Sequence, residues 1–284
     1  MAADDHGAPD RIAVNGLEQG AVSALERGLH YGDGLFETIA CVGGRARFLS
    51  LHLARLRRGC TRLHILFRHA DALRSEIEAL AAPVCRAIVK VLVTRGPAVE
   101  RGYRVTGAEE ATRVTLRYRW PQEDPAEAGV RVRLAALRLA ENPLLAGLKH
   151  LNRLEQVLAR HEWSDPGIAE ALMLDVSGNL VSGVMSNVFL VQNGRLRTPR
   201  VDRCGVAGVM REVVMREAPA AGIVLEETQL RPDDLMQASE VFLTSALIGI
   251  RPVRALEGRV WAPGPVTRAV QERVAALLAA GGDD

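Results

Sequence analysis

The residues best suited to chemistry in this chain are its two lysines. The sequence has 284 residues, with 36 lysines and arginines together, and only Lys90 and Lys149 are lysines. Arginine stays protonated at any working pH, whereas a lysine amine can lose its proton and attack a carbonyl carbon. Lys90 lies in an alternating run typical of a strand, which favours an ordinary lysine on the surface of a sheet. Lys149 is the candidate nucleophile, although its type alone fits a structural or solvated lysine equally well.

The elements predicted around Lys149 support the hypothesis that it is a nucleophile. The lysine follows a Pro-Leu-Leu-Ala-Gly loop, and the spacing of Leu151, Leu154, Val157 and Leu158 predicts a helix that Lys149 opens. A cation in the first turn of a helix is unfavourable by about 0.3–1 kcal/mol, because it faces the positive end of the helix dipole. The same field favours the neutral, nucleophilic form of the amine.

The segment from Leu148 to Val157, LKHLNRLEQV, resembles the active-site segment of the 4-amino-4-deoxychorismate lyases. These lyases belong to the fold-type IV pyridoxal-phosphate enzymes, together with branched-chain and D-amino-acid aminotransferases. The resemblance extends from Asn15 to Val253. It implies that Lys149 holds pyridoxal 5'-phosphate as a Schiff base.

Composition and charge argue against several other classes. The net charge is only +2, because 34 acidic residues offset the cations, so nothing favours a nucleic-acid partner. The first residues are polar, which argues against a signal peptide, and no run of 18 apolar residues predicts a membrane span. The isolated cysteines indicate a cytoplasmic protein without disulfides or a metal site; they are Cys41, Cys60, Cys85 and Cys204.

We predict a two-domain chain of the α/β (α+β) class. Residues 1–10 are predicted to be disordered, residues 11–120 to form an N-terminal domain, residues 121–128 a polar linker with two prolines, and residues 129–284 a C-terminal cofactor-binding domain. The resemblance implies a smaller N-terminal α/β domain and a larger C-terminal mixed β-barrel-like domain with helices. It also implies a cofactor in the cleft between them and a homodimer.

Local signals predict individual elements. Asn15-Gly16 predicts a two-residue hairpin turn, and Ser50 is the predicted N-cap of a helix. The Gly-punctuated loop before Val209 leads into a helix whose first amides could bind an anion, although the residues alone favour an ordinary loop. The other patterns predict strands at 87–95, 112–120, 130–140, 171–175 and 180–191, and helices at 71–81 and 265–280.

The resemblance assigns substrate contacts to the first half of the chain. The Gly-rich stretch from Arg27 to Thr38 lines the substrate side in the family, which implies that Tyr31 and Thr38 lie near the substrate. Arg101 and Tyr103 fall in an Arg-Gly-Tyr sequence that the lyases share, and they are the implied ligands of the substrate carboxylates. An exposed loop pair is the alternative for these two residues.

The resemblance also implies the cofactor ligands. Arg55, in the pattern His52-x-x-Arg55, is similar to the family's phosphate-binding arginine, although Arg55, Arg58 and Arg62 alone would favour a solvated helix face. A guanidinium can grip a phosphate with two parallel hydrogen bonds. The other residues implied to contact the cofactor are Ser182, Asn187, Val206, Ala207, Ser245 and Ala246.

One position departs from the family pattern. The family has a glutamate four residues before the Ser-Asn of a Glu-x-x-x-Ser-Asn-x-Phe motif, as the partner of the pyridine nitrogen; here Ser186-Asn187 is intact and the earlier position is Ser182. A hydroxyl can hydrogen-bond the nitrogen but stabilises a pyridinium less well than a carboxylate. We favour Ser182 in this role, with a weaker electron sink. The alternatives are substitution by Asp175 or Glu170, or loss of activity.

The expected reaction converts 4-amino-4-deoxychorismate to 4-aminobenzoate and pyruvate, a step toward folate, without a metal. Lys149 would remove the ring C4 proton, and either Lys149 or Thr38 would protonate the departing pyruvate. Because aromatisation drives this reaction, it should tolerate Ser182 better than a transamination would. A D-amino-acid or branched-chain aminotransferase is the nearest alternative, and a non-catalytic protein with the same fold is another.

Overall fold

A computed structural model describes residues 7–18, 20–121 and 129–281. Within these residues the chain divides into two compact units. Unit 1 holds the described residues up to 121 together with Lys149–Asn152, and unit 2 holds residues 129–148 and 153–281. Residues 1–6 and most of the predicted linker 121–128 lie outside the described residues. Asp10 differs from the predicted disorder, because its amide and carboxylate are hydrogen-bonded to Arg117.

Unit 1 is built on an antiparallel sheet with the strand order β1-β5-β4-β2-β3. Its predicted hairpin turn is confirmed, since Asn15 and Gly16 have φ angles of 51° and 85° between paired Val14 and Leu17. The elements of this unit are β1 (Arg11–Val14), α1 (Arg27–Tyr31), β2 (Gly34–Val42), β3 (Arg45–Ala46), α2 (Leu49–Arg62), α3 (Ala70–Ala81), β4 (Arg86–Thr94) and β5 (Arg113–Arg119).

Alternation along the strands separates the two faces of this sheet. Leu35, Ile39 and Val91 are buried on the face that α2 and α3 cover. The predicted N-cap of α2 is wrong: the helix begins at Leu49, no side chain caps it, and the Ser50 hydroxyl instead accepts a hydrogen bond from Arg74 at 2.9 Å.

Unit 2 contains a mixed sheet with the order β11-β10-β9-β12-β13-β6-β7-β8, and β14 pairs with β13. The predicted strand 180–191 is interrupted, because the Glu170 carboxylate accepts the amides of Val184 and Met185 and holds them in a turn. The elements are β6 (Val130–Leu139), α4 (Leu154–Arg160), β7 (Ile168–Asp175), β8 (Leu180–Gly183), β9 (Asn187–Gln192), β10 (Arg195–Pro199), α5 (Val209–Ala220), β11 (Leu225–Thr228), α6 (Pro232–Gln237), β12 (Glu240–Ser245), β13 (Gly249–Leu256), β14 (Arg259–Val260) and α7 (Pro265–Ala279).

The core of unit 2 follows from the apolar strands at the centre of its sheet. Leu172, Leu190 and Leu243 are almost completely buried in one cluster, and Met173 belongs to a second cluster with Trp163. Strands buried on both sides require such apolar runs, which the sequence shows. The predicted mixed α/β fold class is confirmed.

Candidate active site

Lys149 lies in an extended segment that pairs with the edge of β2. The Lys149 carbonyl accepts a hydrogen bond from the Phe36 amide at 2.9 Å, and the Leu151 amide donates to the Gly34 carbonyl at 3.0 Å. Helix α4 begins only at Leu154. The predicted position of Lys149 in the first turn of a helix is therefore wrong. The positive end of the α4 dipole does not face its amine as predicted.

Both lysines of the chain approach the same aromatic ring. The Lys149 Nζ lies 4.2 Å from the centroid of the Phe36 ring, and the Lys90 Nζ lies 5.7 Å from it. A cation against an aromatic face is stabilised by the ring quadrupole. Phe36 and Lys90 were not predicted as site residues, because strand alternation alone does not reveal which face of a sheet carries a site.

Arg55, the predicted phosphate ligand, is buried in an ion pair with Glu37. Its Nε donates to one carboxylate oxygen at 2.8 Å and its Nη2 donates to the other. Burial alone would raise the pKa of Glu37, but Arg55 and His52 outweigh burial and lower the pKa to about 2. The pair fixes the plane of the guanidinium. Sequence reasoning missed Glu37, although a glutamate on the apolar face of a strand requires a buried counter-ion.

His52 extends this cluster toward the amine. Its Nδ1 lies 2.6 Å from Glu37, while its Nε2 is buried without a hydrogen-bond partner among the described residues. Burial lowers the pKa of His52 against the opposing effect of Glu37, and the charges of Arg55 and Lys149 lower it further. The imidazole is therefore neutral at pH 7, close enough to Lys149 to respond to its charge.

The predicted substrate residues Tyr31 and Tyr103 contact each other, with ring centroids 5.2 Å apart. Arg27 joins their segments, because its guanidinium stacks 5.0 Å from the Tyr31 ring and donates to the carbonyls of residues 102, 103 and 104 at 3.1, 3.3 and 3.4 Å. Arg101 is exposed in the same loop. Thr38 lies on β2, on the same face as Phe36.

In unit 2, the predicted phosphate loop pairs with the residues that precede Lys149 in sequence. The Gly147 amide donates to the Gly205 carbonyl at 3.0 Å, and the Ala207 amide donates to the Gly147 carbonyl at 3.1 Å. The Asn187 side chain donates to the Val206 carbonyl at 2.9 Å. Asn187, which lies on β9, thus positions this loop. The Ala207 amide was predicted to donate to the phosphate, but here it donates to a backbone carbonyl.

Gly208 is the N-cap of α5 and, being a glycine, it provides no side-chain cap. A Cβ at this position would lie 2.1 Å from the Asn187 side-chain oxygen, so a larger residue here would require Asn187 to move. Ser245 ends β12, and Ala246 follows it. The neighbouring Thr244 hydroxyl is buried without a hydrogen-bond partner among the described residues.

Ser182 is buried, and its hydroxyl donates to the Gly183 carbonyl at 2.8 Å. The two acids considered as its substitutes are both engaged. Glu170 accepts from the Ser186 hydroxyl at 3.0 Å as well as from backbone amides, and burial outweighs these bonds and raises its pKa. Asp175 accepts from the backbone and side-chain amides of Asn179 at 2.8 and 2.9 Å. Ser182, Glu170 and Asp175 are therefore all hydrogen-bonded to neighbouring residues.

These side chains fit pyridoxal 5'-phosphate. An aldehyde requires an amine, which Lys149 supplies against Phe36. A phosphate dianion requires cationic or N–H donors, and the uncapped start of the 12-residue helix α5 presents its first amides. Within unit 1, the Arg55 guanidinium, held in one plane, is also a donor group suited to a phosphate.

Comparison with known proteins decides the family. The family model for amino-transferase class IV matches residues 34–256. The chain belongs to this family. An aminodeoxychorismate lyase of Vibrio harveyi is 33% identical over 91% of this chain and 97% of its own length. A putative branched-chain-amino-acid aminotransferase of Methanocaldococcus jannaschii is 32% identical over 93% and 94%.

A solved class IV structure agrees with the fold. The crystal structure of 4-amino-4-deoxychorismate lyase from Pseudomonas aeruginosa is 46% identical, covers 93% of this chain and 98% of its own, and superposes with a TM-score of 0.89. The family is dependent on pyridoxal 5'-phosphate, so the predicted cofactor and enzyme class are confirmed. Within the described residues, no helix is long and apolar enough to cross a membrane, and no group of three or more metal-binding side chains occurs.

Proposed function

We propose that this protein is a lyase that converts 4-amino-4-deoxychorismate to 4-aminobenzoate and pyruvate, a step toward folate. The observation that carries the proposal is the Lys149 amine against Phe36, in a chain 46% identical to a lyase of that name. The Lys149 carbonyl and the Leu151 amide are both hydrogen-bonded to β2, so the amine projects from a backbone that is held in place. Preorganisation of this kind lowers the entropic cost of bringing reacting groups together.

Each predicted site residue has a proposed role. Lys149 forms the covalent link to the cofactor and then acts as the base, and Thr38 is the second proton carrier. Tyr31, Arg101 and Tyr103 contact the substrate, and Ser182 contacts the pyridine nitrogen. The residues proposed to hold the phosphate or its loop are Arg55, Asn187, Val206, Ala207, Ser245 and Ala246.

The chain's own groups account for the proton transfers. Bound pyridoxal 5'-phosphate supplies an aldehyde that condenses with amines and a ring that withdraws electrons. With the substrate amine in its place on the cofactor, the Lys149 amine would be free to accept the proton from the ring C4 of the substrate. Loss of the enolpyruvyl oxygen from the neighbouring carbon then makes the ring aromatic. Lys149 or the Thr38 hydroxyl returns a proton to the three-carbon fragment, which leaves as pyruvate.

Because lysines are scarce in this chain, a covalent label on lysine can be assigned to one residue. The holoenzyme is reduced with borohydride, digested and mapped by mass spectrometry; we expect the phosphopyridoxyl mass on Lys149 and none on Lys90. Lys149→Ala should lose the label, whereas Lys90→Arg should retain it. Formation of 4-aminobenzoate from chorismate, glutamine and the upstream synthase is then measured. A labelled protein that forms no 4-aminobenzoate would contradict the lyase assignment.

An aminotransferase is the second candidate function, because the Methanocaldococcus jannaschii relative is 32% identical over 93% of this chain. The two activities differ in their requirement for a second substrate. The lyase releases pyruvate without an amino acceptor, whereas a transaminase requires a 2-oxo acid. Pyruvate release measured with and without 2-oxoglutarate separates them.

We also propose a cytoplasmic homodimer acting on a small molecule. Helix α4 supports the dimer, because its apolar stripe of Leu154, Val157 and Leu158 is 76%, 49% and 59% exposed in the single chain. The free cysteines, which include buried Cys41 and Cys60, are consistent with a reducing compartment. Light scattering of the purified protein measures the oligomeric state directly.

A further inference from the structure

A turn of three residues, 184–186, joins the two strands that carry Ser182 and Asn187, both proposed cofactor contacts. Strand β8 ends at Gly183, and β9 begins at Asn187. Across the turn, the Gly183 amide donates to the Ser186 carbonyl at 2.8 Å. Because only four residues separate Ser182 from Asn187, the conformation of this turn sets the position of one side chain relative to the other.

One buried carboxylate holds this turn. Glu170, on the neighbouring strand β7, is 5% exposed. The amides of Ala171 and Val184 donate to its Oε1 at 3.0 and 3.1 Å. The Met185 amide and the Ser186 hydroxyl donate to its Oε2, both at 3.0 Å. Three of these four donors therefore belong to the turn.

These donors stand in place of a cationic partner for Glu170. A carboxylate has about four lone-pair sites, and N–H and O–H groups fill all of them here. No lysine, arginine or histidine of the described ranges is paired with this carboxylate. Burial raises the pKa of Glu170, and only the hydrogen bonds from the turn and from the Ala171 amide oppose this effect. Since a buried carboxylate without donors is costly, the carboxylate and the turn stabilise each other.

The carboxylate also packs against the backbone next to Ser182. A Cβ on Gly183 would lie 2.9 Å from the Cγ and Cδ atoms of Glu170 and would collide with the Ser186 hydroxyl. Gly183 is at the same time paired with Leu172 of β7. A change in the hydrogen bonding of Glu170 is therefore transmitted to the backbone that follows Ser182.

We propose that Glu170 is a positioning residue for the cofactor: by holding the turn of residues 184–186, it sets where Ser182 and Asn187 meet pyridoxal 5'-phosphate. This inference rests on the proposed function, which includes the contacts of these two residues with the cofactor. Glu170 acts through the turn and does not contact the pyridine nitrogen itself. Because Asn187 also holds the Val206 carbonyl at 2.9 Å, the effect of Glu170 extends to the proposed phosphate loop.

The test compares two buried glutamates of the same kind. Glu240 is 4% exposed, but it holds the start of α7. It accepts hydrogen bonds from the Val266 amide at 3.1 Å and from the Thr267 amide and hydroxyl at 2.7 and 2.6 Å. Glu170→Gln and Glu240→Gln each keep the size of the side chain and replace an acceptor oxygen by a donor NH2 group. Both should lower the free energy of unfolding in urea to a similar extent.

Only Glu170→Gln should change the behaviour of the cofactor. We expect the dissociation constant of pyridoxal 5'-phosphate, measured by absorbance titration, to rise several-fold, by up to about tenfold. The pH titration of the bound cofactor's absorbance should shift as well, because Ser182 is displaced from the pyridine nitrogen. Glu240→Gln should match the wild-type protein in both measurements. In a Ser182→Ala background, Glu170→Gln should leave the pH titration unchanged, since it acts through Ser182.

The outcomes separate positioning from a merely structural role. If Glu170→Gln matches Glu240→Gln in the dissociation constant and in the pH titration, the positioning role is refuted. A full shift of the pH titration that persists in the Ser182→Ala background also refutes it. Ser186→Ala, which removes one donor and keeps the carboxylate, is the milder variant if Glu170→Gln does not fold, and it should change both measurements in the same direction.

A failure of the lyase assignment is recognised separately. If the wild-type protein carries the borohydride label on Lys149 but forms no 4-aminobenzoate, the lyase proposal fails. The dissociation constant and the pH titration still decide the role of Glu170 in that case, because neither measurement requires turnover.

Discussion

The Arg55 guanidinium and the Glu37 carboxylate form a two-point ion pair inside unit 1, with the Arg55 Nε 2.8 Å from one carboxylate oxygen. His52 donates to the same carboxylate, at 2.6 Å. His52 and Arg55 of α2 are thereby both bonded to Glu37 of β2, and Arg55 is the predicted phosphate-binding arginine. An arginine held in this way presents one orientation to a ligand, which reduces the entropy lost on binding.

Glu37→Gln should destabilise the protein by about 3–5 kcal/mol, because it leaves the Arg55 guanidinium buried without a counter-charge. Urea unfolding at pH 7 measures this loss. The control is Glu100→Gln, which removes an exposed pair with Arg104 and should change stability little. Equal effects of the two substitutions would refute the structural importance of the buried pair.

The same pair predicts an acid dependence of stability. Because the pKa of Glu37 is lowered to about 2 from 4.5, its contribution is present above pH 4.5 and is lost as pH falls toward 2, by about 3 kcal/mol in total. Buried neutral His52, whose pKa is also lowered, adds a loss that begins below pH 6.5. Unfolding free energies measured from pH 7 to pH 2.5 should decline, and Glu37→Gln should flatten the lower part of this curve.

Arg27→Met should free the loop of residues 102–104 that its guanidinium holds through three carbonyls. Asp33 remains paired with Arg95 at 2.8 Å, so the fold should persist. We expect tryptic cleavage after Arg101 and Arg104 to accelerate by about tenfold, the effect of losing net hydrogen bonds worth some 1–2 kcal/mol. Arg57→Met, on an exposed position of α2, is the control, and unchanged cleavage in Arg27→Met would contradict this role.

Gly208→Ala should weaken cofactor binding by moving Asn187, whose side chain lies 2.1 Å from the added Cβ and holds the Val206 carbonyl. We expect the dissociation constant of pyridoxal 5'-phosphate, measured by absorbance titration, to rise about tenfold. Asn187→Ala should have a similar effect, and the double variant should be no worse than either, because both act through one contact. Additive losses would indicate two separate mechanisms.

Ser182→Glu should raise transamination while leaving lyase turnover nearly unchanged, because a carboxylate stabilises a protonated pyridine nitrogen better than a hydroxyl does. Glu170 and Asp175, the alternative acids, accept hydrogen bonds from neighbouring residues. The two activities are assayed on the same preparation, with Ser182→Ala as the neutral control. A wild-type protein that binds cofactor but has neither activity would support the alternative of a lost function.

Much of the fold was readable locally. The Asn15-Gly16 turn, helix α3 and helix α7 were predicted within one residue of their observed ends, because turn chemistry and amphipathic period act over short distances. Lys149 could be predicted as the candidate nucleophile without a structure, since a rare amine among arginines is a chemical signal in itself. Its predicted helical setting was wrong, because pairing with β2 satisfies its backbone and tertiary pairing overrides apolar spacing.

The amino-acid sequence by itself determined the family and the residue types available: only two lysines, the class IV motifs and a serine at position 182. Only the tertiary structure decided which groups meet. Glu37 could be recognised as the partner of Arg55, and Lys90 as a neighbour of Phe36, only once β2 was aligned with α2 and β4. The physical reason is that side-chain period fixes which face of an element a residue occupies, whereas strand register and helix packing, set by the whole core, fix what lies across from it.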